Sequence, residues 1–275
     1  MRRLSFYALL TLIIGYTVFP YYWAFVSSIK PNSELFATPV SLWPEHPTLE
    51  NYGLVLSNAG FLQALVNSAA VCLASVTMAL SFGSLAAYAL GRFQFRGRTA
   101  TLYLVLSMTM FPQIAVLGGL YTIINQIGLF NRLPALMLSY LLFTLPFTVW
   151  VLTNFFKQLP GELEEAAIVD GATPMQTYRL ILLPLLSPAL VTTGLLAFIQ
   201  CWNEFLYALS FMQTPDRYTV TRAIFSFAGV TGSGYEIPWG QMMAATILVT
   251  LPLLVLVLIL QNRIIAGLTG GAVKG

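Results

Sequence analysis

The sequence predicts an all-α protein, a polytopic membrane bundle of six transmembrane helices with a helical element outside the bilayer. Three observations predict it. Hydrophobic residues make up 57% of the 275 and charged residues only 8%, against about 25% charged in a soluble domain. So few charges cannot cover an aqueous surface. Six stretches nearly free of charge, 4–29, 62–90, 101–123, 133–156, 185–211 and 241–260, are each long enough for the ~20 residues that one crossing needs. Between the fourth and fifth, residues 157–184 collect four of the ten acidic residues, Glu162, Glu164, Glu165 and Asp170.

The first stretch exceeds the roughly 7–15 apolar residues of a signal peptide, and no small-residue cleavage pattern closes it, so it is expected to stay as a helix. Tyr21, Tyr22 and Trp23 suit an interfacial aromatic belt near its end. The second stretch is rich in small residues, among them Ala69, Ala74, Ser75, Ala79, Gly83, Ser84 and Ala87. Small side chains let helix backbones approach closely in lipid, which predicts an interior position. Cys72 and Cys201 lie in apolar stretches and read as free, buried thiols. A net charge of +3 is too small to imply a nucleic-acid partner.

Orientation follows from Lys and Arg placement. With the N-terminus inside, the inner segments hold nine of these residues and the outer segments four. Arg92, Arg96 and Arg98 in the short second connection are the clearest vote. Both termini are therefore expected in the cytoplasm. Two outer loops are long. The first, about 30–61, is proline-rich and reads as a connector or a contact surface. The second, 213–240, interleaves Tyr218, Phe225, Phe227, Tyr235 and Trp239 with glycines, a pattern that suits protein contact.

The 157–184 loop reads as helix, turn, helix. Acidic residues cluster in the first turn after Pro160, where the helix dipole favours them. Gly171 can take the left-handed conformation that ends a helix. Thr173, Pro174 and Gln176 then form a capping-box start. Met175, Tyr178, Ile181 and Leu182 recur at helical spacing. Read on its own, such a hairpin could simply lie on the membrane surface.

Glu165-Ala166-Ala167, three residues, Gly171, nine residues, then Ile181, Leu183 and Pro184 resembles the cytoplasmic EAA loop of the membrane subunits of ATP-binding-cassette (ABC) importers. The likeness extends over nearly the whole chain. The six helices, Trp202-Asn203-Glu204-Phe205 and the tail from Ala266 to Gly275 resemble the smaller permease subunit of carbohydrate importers of the maltose and trehalose type. The resemblance implies a type I ABC importer permease forming one domain, 1–275, in a prokaryotic cytoplasmic (inner) membrane. It implies that the 157–184 loop is a coupling helix seated on an ATPase, through Glu165, Ala166, Ala167, Gly171, Ile181, Leu183 and Pro184. It also implies that the 213–240 loop reaches toward an extracytoplasmic sugar-binding protein, with Tyr218, Phe225, Tyr235 and Trp239 as contact candidates. The remaining partners would be a second homologous permease, two ATPase copies, membrane lipid and the sugar. No cofactor is expected on this chain, because ATP and magnesium belong to the ATPase subunits.

Glu204 is the one ionisable residue well inside an expected span, and such a group should face the bundle or a water-filled cavity. With Gln200, Trp202 and Asn203 it forms a polar and aromatic cluster that suits either a sugar path or a structural hydrogen-bond node. An enzyme is disfavoured. There is one histidine, His46, and no H-E-x-x-H, G-x-S-x-G or G-x-x-x-x-G-K-[ST]. An ion-coupled secondary transporter usually carries several intramembrane charges and internal repeats, and neither is visible. An ABC importer of another small solute is the nearer alternative. The charge asymmetry makes a direct prediction: single cysteines placed at the N-terminus and within residues 91–98 should both resist a membrane-impermeant thiol reagent in intact cells, and labelling of both would reverse the orientation.

Overall fold

A computed structural model describes residues 2–230 and 237–270, and helices are its only regular elements. Four unbroken helices are long and apolar enough to cross a membrane: Arg2–Ser28, Ala59–Arg92, Leu133–Gln158 and Trp239–Gly270. Two bent pairs meet the same test. Arg98–Thr109 and Gln113–Gln126 meet at 95°, and Pro174–Leu185 and Ser187–Trp202 at 76°. With each pair counted once, the chain has six spans, numbered 1 to 6 in chain order.

Two expected spans are therefore not single helices. The third, expected at 101–123, turns at residues 110–112. Pro112 has no N–H to donate and disfavours a helical Phe111, so the helix stops at Thr109 and restarts at Gln113. The fifth, expected at 185–211, differs at both ends. Residues 174–185 are helical but turn away at Leu186. At the other end the helix stops at Trp202, and a separate short helix, Leu206–Phe211, follows.

Spans 2, 4 and 5 form the core. Span 2 runs against span 4 for much of its length, and span 5 packs on both. The small residues expected to bring span 2 inside do so where they face span 4. A Cβ added at Gly83 would sit 2.7 Å from Thr148 Cγ2, and one at Gly91 would sit 2.7 Å from Phe156 Cβ. Gly194 of span 5 passes Leu80 as closely, at 3.0 Å. Ser75 Oγ donates to the Met137 carbonyl at 3.1 Å across the same contact. Cys72 and Cys201 are buried free thiols in this core. Dispersion contacts rather than water exclusion hold helices together in lipid, so this proximity is the source of cohesion.

Span 1 is peripheral. It leans on span 6, and Phe6 to Tyr22 present largely exposed apolar side chains. The loop of about 30–61 ties the end of span 1 to the start of span 6. Asn51 Nδ2 donates to the carbonyls of Ser28 and Lys30, both at 3.0 Å, and packs within 2.7 Å of where a Gly240 Cβ would be. Lys30 Nζ donates to the Ser41 carbonyl at 2.6 Å and lies over the Trp23 ring.

Gly83 should be the least replaceable of the glycines in contact with span 4. Gly83→Val is expected to lower the stability of the detergent-solubilised protein by about 1–3 kcal/mol, the usual cost of overpacking. Gly119→Ala, which meets nothing within 4 Å, should leave the thermal midpoint unchanged.

Candidate functional site

The 157–184 loop folds as two short helical segments around one tight turn. Glu162–Val169 carries Glu162, Glu164 and Glu165 in its first turn. The chain then reverses at Gly171, whose φ is +76°. No atom lies within 4 Å of its missing Cβ, so the demand there is conformational and not one of space. Thr173 starts the second segment with a complete capping box. Gln176 N–H donates to Thr173 Oγ1 at 3.3 Å, and Thr173 N–H donates to Gln176 Oε1 at 2.7 Å. Residues Thr177–Leu182 widen to a π-helical turn, a form that often marks functional segments.

The two alanines of the loop motif divide their work. Ala166 is exposed, whereas Ala167 is buried against the chain's own bundle. Glu165, Gly171 and Pro184 are exposed, and Ile181 and Leu183 are half-buried. On the same helix Ile168 and Val169 are 69% and 87% exposed, and on the second segment Leu180 is 72% exposed. Of the residues that recur at helical spacing, Met175 also points out, while Tyr178 and Leu182 are buried. A short helix therefore presents an apolar, small-residue surface away from the bundle.

The opposite side of the loop is fastened to span 2. Arg92 Nε donates to Glu164 Oε2 at 3.0 Å. The same guanidinium reaches the carbonyls of Phe156, Leu159 and Pro160 at 3.3, 2.9 and 3.3 Å, where span 4 ends and the loop begins. Glu164 Oε1 is buried with no hydrogen-bond partner among the described residues. Tyr88 packs against Phe156 and Tyr178, with ring centroids 5.6 and 5.3 Å away, and its hydroxyl donates to the Pro174 carbonyl at 3.4 Å. Ser84 Oγ and the Tyr178 hydroxyl share a hydrogen bond of 2.7 Å. Arg98 caps the end of span 2 through the Leu90 and Gly91 carbonyls. The sequence reading counted Arg92 and Arg98 only as topology markers. The four-residue spacing of Ser84, Tyr88 and Arg92 was the available signal for a shared face.

A second feature is a cleft of about 800 Å³ between spans 3, 4 and 5, within the ~300–1,000 Å³ range of small-ligand sites. The bend of span 3 and the non-helical stretch after Trp202 open onto it. The bend of span 3 contributes Thr109, Phe111 and Gln113, span 4 contributes Phe143 and Phe147, and the interruption of span 5 contributes Gln200, Asn203, Glu204 and Phe205. The polar cluster of span 5 is thereby split. Gln200 and Asn203 are exposed in the cleft, and Asn203 uses its Nδ2 on the Ile199 carbonyl at 2.8 Å. Glu204 is in the wall, 5% exposed. Its carboxylate accepts the Tyr207 N–H at 2.7 Å and the Ala208 N–H at 3.2 Å, the orphan donors that open Leu206–Phe211. Trp202 does not line the cleft. It is buried, and its Nε1–H donates to the Val249 carbonyl of span 6 at 3.2 Å.

The 213–240 loop is more ordered than its glycines suggest, because it contains the helix Val220–Val230. Asn67 Nδ2 donates to the Asp216 and Tyr218 carbonyls at 2.9 Å, Val220 N–H donates to Ser68 Oγ at 2.9 Å, and Thr221 Oγ1 donates to the Glu204 carbonyl at 2.6 Å. Phe225 and Trp239 are exposed. Arg222 stacks on Tyr218 at 4.3 Å. Tyr235 lies outside the described residues, as do the last five residues of the tail.

Known proteins fit this architecture. The chain is 42% identical, over its full length and 99% of the relative, to the trehalose transport system permease protein SugB of Mycobacterium tuberculosis. It is 41% identical, over 94% of its length and 92% of the relative, to the trehalose/maltose transport system permease protein MalG of Thermococcus litoralis. Among solved structures, a chain of a bacterial ABC transporter involved in the import of the acidic polysaccharide alginate superposes with a TM-score of 0.78 at 21% identity, covering 94% of this chain and 95% of that one. A chain of the MetNI methionine ABC transporter in an inward-facing form gives 0.57 at 20% identity, covering 79% of this chain and 98% of that one. Residues 79–270 match the family described as binding-protein-dependent transport system inner membrane component, a span that holds the helix–turn–helix loop, both helix breaks and the cleft. The chain belongs to that family: it is a multi-pass, non-catalytic permease subunit of an ABC importer, and ATP hydrolysis takes place on a partner.

Proposed function

We propose that this permease imports an oligosaccharide of the trehalose or maltose class. The observation that carries the sugar is that two full-length relatives above 40% identity both have trehalose in their names. The polar wall formed by Gln200, Asn203 and Gln113 beside the rings of Phe143 and Phe147 supports the reading. Sugars offer hydroxyls to amide partners and flat C–H faces to aromatic rings. Both termini lie in the cytoplasm. A second homologous permease completes the path, two ATPase copies bind below, and a sugar-binding protein docks above on the outer surface that bears Phe225 and Trp239. The 157–184 loop seats in a groove of the ATPase through its exposed Ala166 side, and Gly171 sets the turn.

The cycle is alternating access. Closure of the ATPase dimer on ATP moves the two coupling loops together. The bundle then opens its cleft outward to receive sugar from the docked binding protein, and hydrolysis returns it. The wall of the cleft is well placed to change shape, because both sides are broken helices.

The test uses the complete complex in proteoliposomes with a panel of labelled disaccharides. Trehalose or maltose uptake should require ATP and the binding protein and ignore a proton uncoupler; uptake that follows a proton gradient would sink the reading. In the same assay Ala166→Trp, which adds a large ring to an exposed position, should fold normally yet lose the ATPase during purification. Retention of the ATPase and normal uptake would place the docking surface elsewhere.

Glu204 separates path from scaffold. Glu204→Ala strands two backbone N–H groups and is expected to cost about 1–3 kcal/mol of stability, read as a lower thermal midpoint. Glu204→Gln keeps the shape and one of the two acceptor oxygens and should assemble fully. A changed uptake rate or sugar preference in that variant assigns Glu204 to the path, and unchanged uptake assigns it to the scaffold alone.

A further inference from the structure

We infer that one face of span 2, the stripe Ser84, Tyr88 and Arg92, is the lever through which the 157–184 loop moves the bundle. The inference rests on the proposed coupling role of that loop. The three residues are four apart and so lie along one side of the helix. Each fastens a different part of the loop. Arg92 holds the first segment by its ion pair with Glu164 at 3.0 Å. Tyr88 reaches the start of the second segment at the Pro174 carbonyl, and Ser84 holds Tyr178 in its middle. A push on either segment therefore arrives at the same helix.

The stripe is stiff enough to transmit a push. The Arg92 and Glu164 side chains are only 10% and 23% exposed, where an ion pair is screened little by salt. Arg92 is the ion-pair partner of Glu164, whose Oε1 has no hydrogen-bond partner among the described residues, so separating the pair would leave a largely buried carboxylate without its guanidinium. Arg92 also grips the last carbonyls of span 4, making the loop, span 2 and span 4 one body at this end. Nothing in the stripe yields independently, because Tyr88, Phe156 and Tyr178 form one cluster of mutually packed rings. Span 4 carries that displacement to the cleft, where Phe143 and Phe147 form part of the wall. These are positioning residues. They touch neither sugar nor ATP, and they act by fixing the geometry between the loop and the cleft.

The test is the number of sugar molecules imported per ATP hydrolysed by the reconstituted complex. Three variants weaken the stripe at separate points. Arg92→Lys replaces a fork that reaches four acceptors with a single point charge. Glu164→Gln removes the charge and keeps the shape. Ser84→Ala removes the bond to Tyr178. The expected result is a complex of normal subunit ratio that still hydrolyses ATP, with sugar per ATP reduced roughly 2- to 30-fold, the range seen when coupling between distant sites is perturbed. A normal ratio in the assembled variants overturns the inference. Loss of assembly in all three assigns the stripe to stability alone and also overturns it. Failure of the loop reading itself looks different: Ala166→Trp would then keep its ATPase, whatever the stripe variants do.

Discussion

The close approach of spans 2 and 4 is the constraint on which the rest depends. Lipid offers helices no hydrophobic reward for associating, so cohesion comes from contact distance. Gly83 and Gly91 leave no room for a Cβ against Thr148 and Phe156. Once that pair is set, Arg92 stands beside the last carbonyls of span 4 and can close them. The same arginine then meets Glu164 and fixes where the loop hangs. The position of the exposed 157–184 loop is thus tied to two missing side chains in the bundle.

Broken helices are affordable in this frame because each break is satisfied locally. The interruption of span 5 frees N–H groups that hydrocarbon could not solvate, and non-helical backbone at membrane depth is tolerated only where it is buried or lines a cavity. Glu204 answers part of that demand with both carboxylate oxygens, and the rest of the break faces the cleft. Its carboxyl group is therefore explained by backbone chemistry before any ligand is considered. Trp202, two residues away in the same cluster, bonds to span 6 instead.

Much of this was legible in the residues. Mean composition and six apolar runs specify the bundle. Pro, Gly and the Thr173–Gln176 pairing specify the loop, because capping and left-handed turns are local chemistry. Ser75, Ala79 and Gly83 announce an interior span, since small residues have few other uses in lipid. The helix breaks were harder. Pro112 marks one in plain view, but a proline inside an apolar run also occurs in spans that continue, as Pro146 and Pro252 do. The break after Trp202 has no proline or glycine at all. Nor does composition tell which side of Ala166-Ala167 faces inward, or that Trp202 turns from Asn203 toward Val249. Those depend on which neighbour a helix meets, and periodicity is silent on that.

Span 1 rests on span 6, and this has a consequence for how the molecule is made. Between Ser28 and Trp239 the ribosome must add more than two hundred residues. At roughly 5–20 residues per second, the first helix to enter the membrane waits on the order of 10–40 s for the surface it finally leans on. During that interval its long apolar flank is free to meet lipid, an insertion factor or another nascent chain. The tether through Asn51 to the carbonyls of Ser28 and Lys30 can form much earlier, since it joins residues close in sequence. Birth order thus leaves the two ends of the polypeptide to meet last, after the interior has already taken shape.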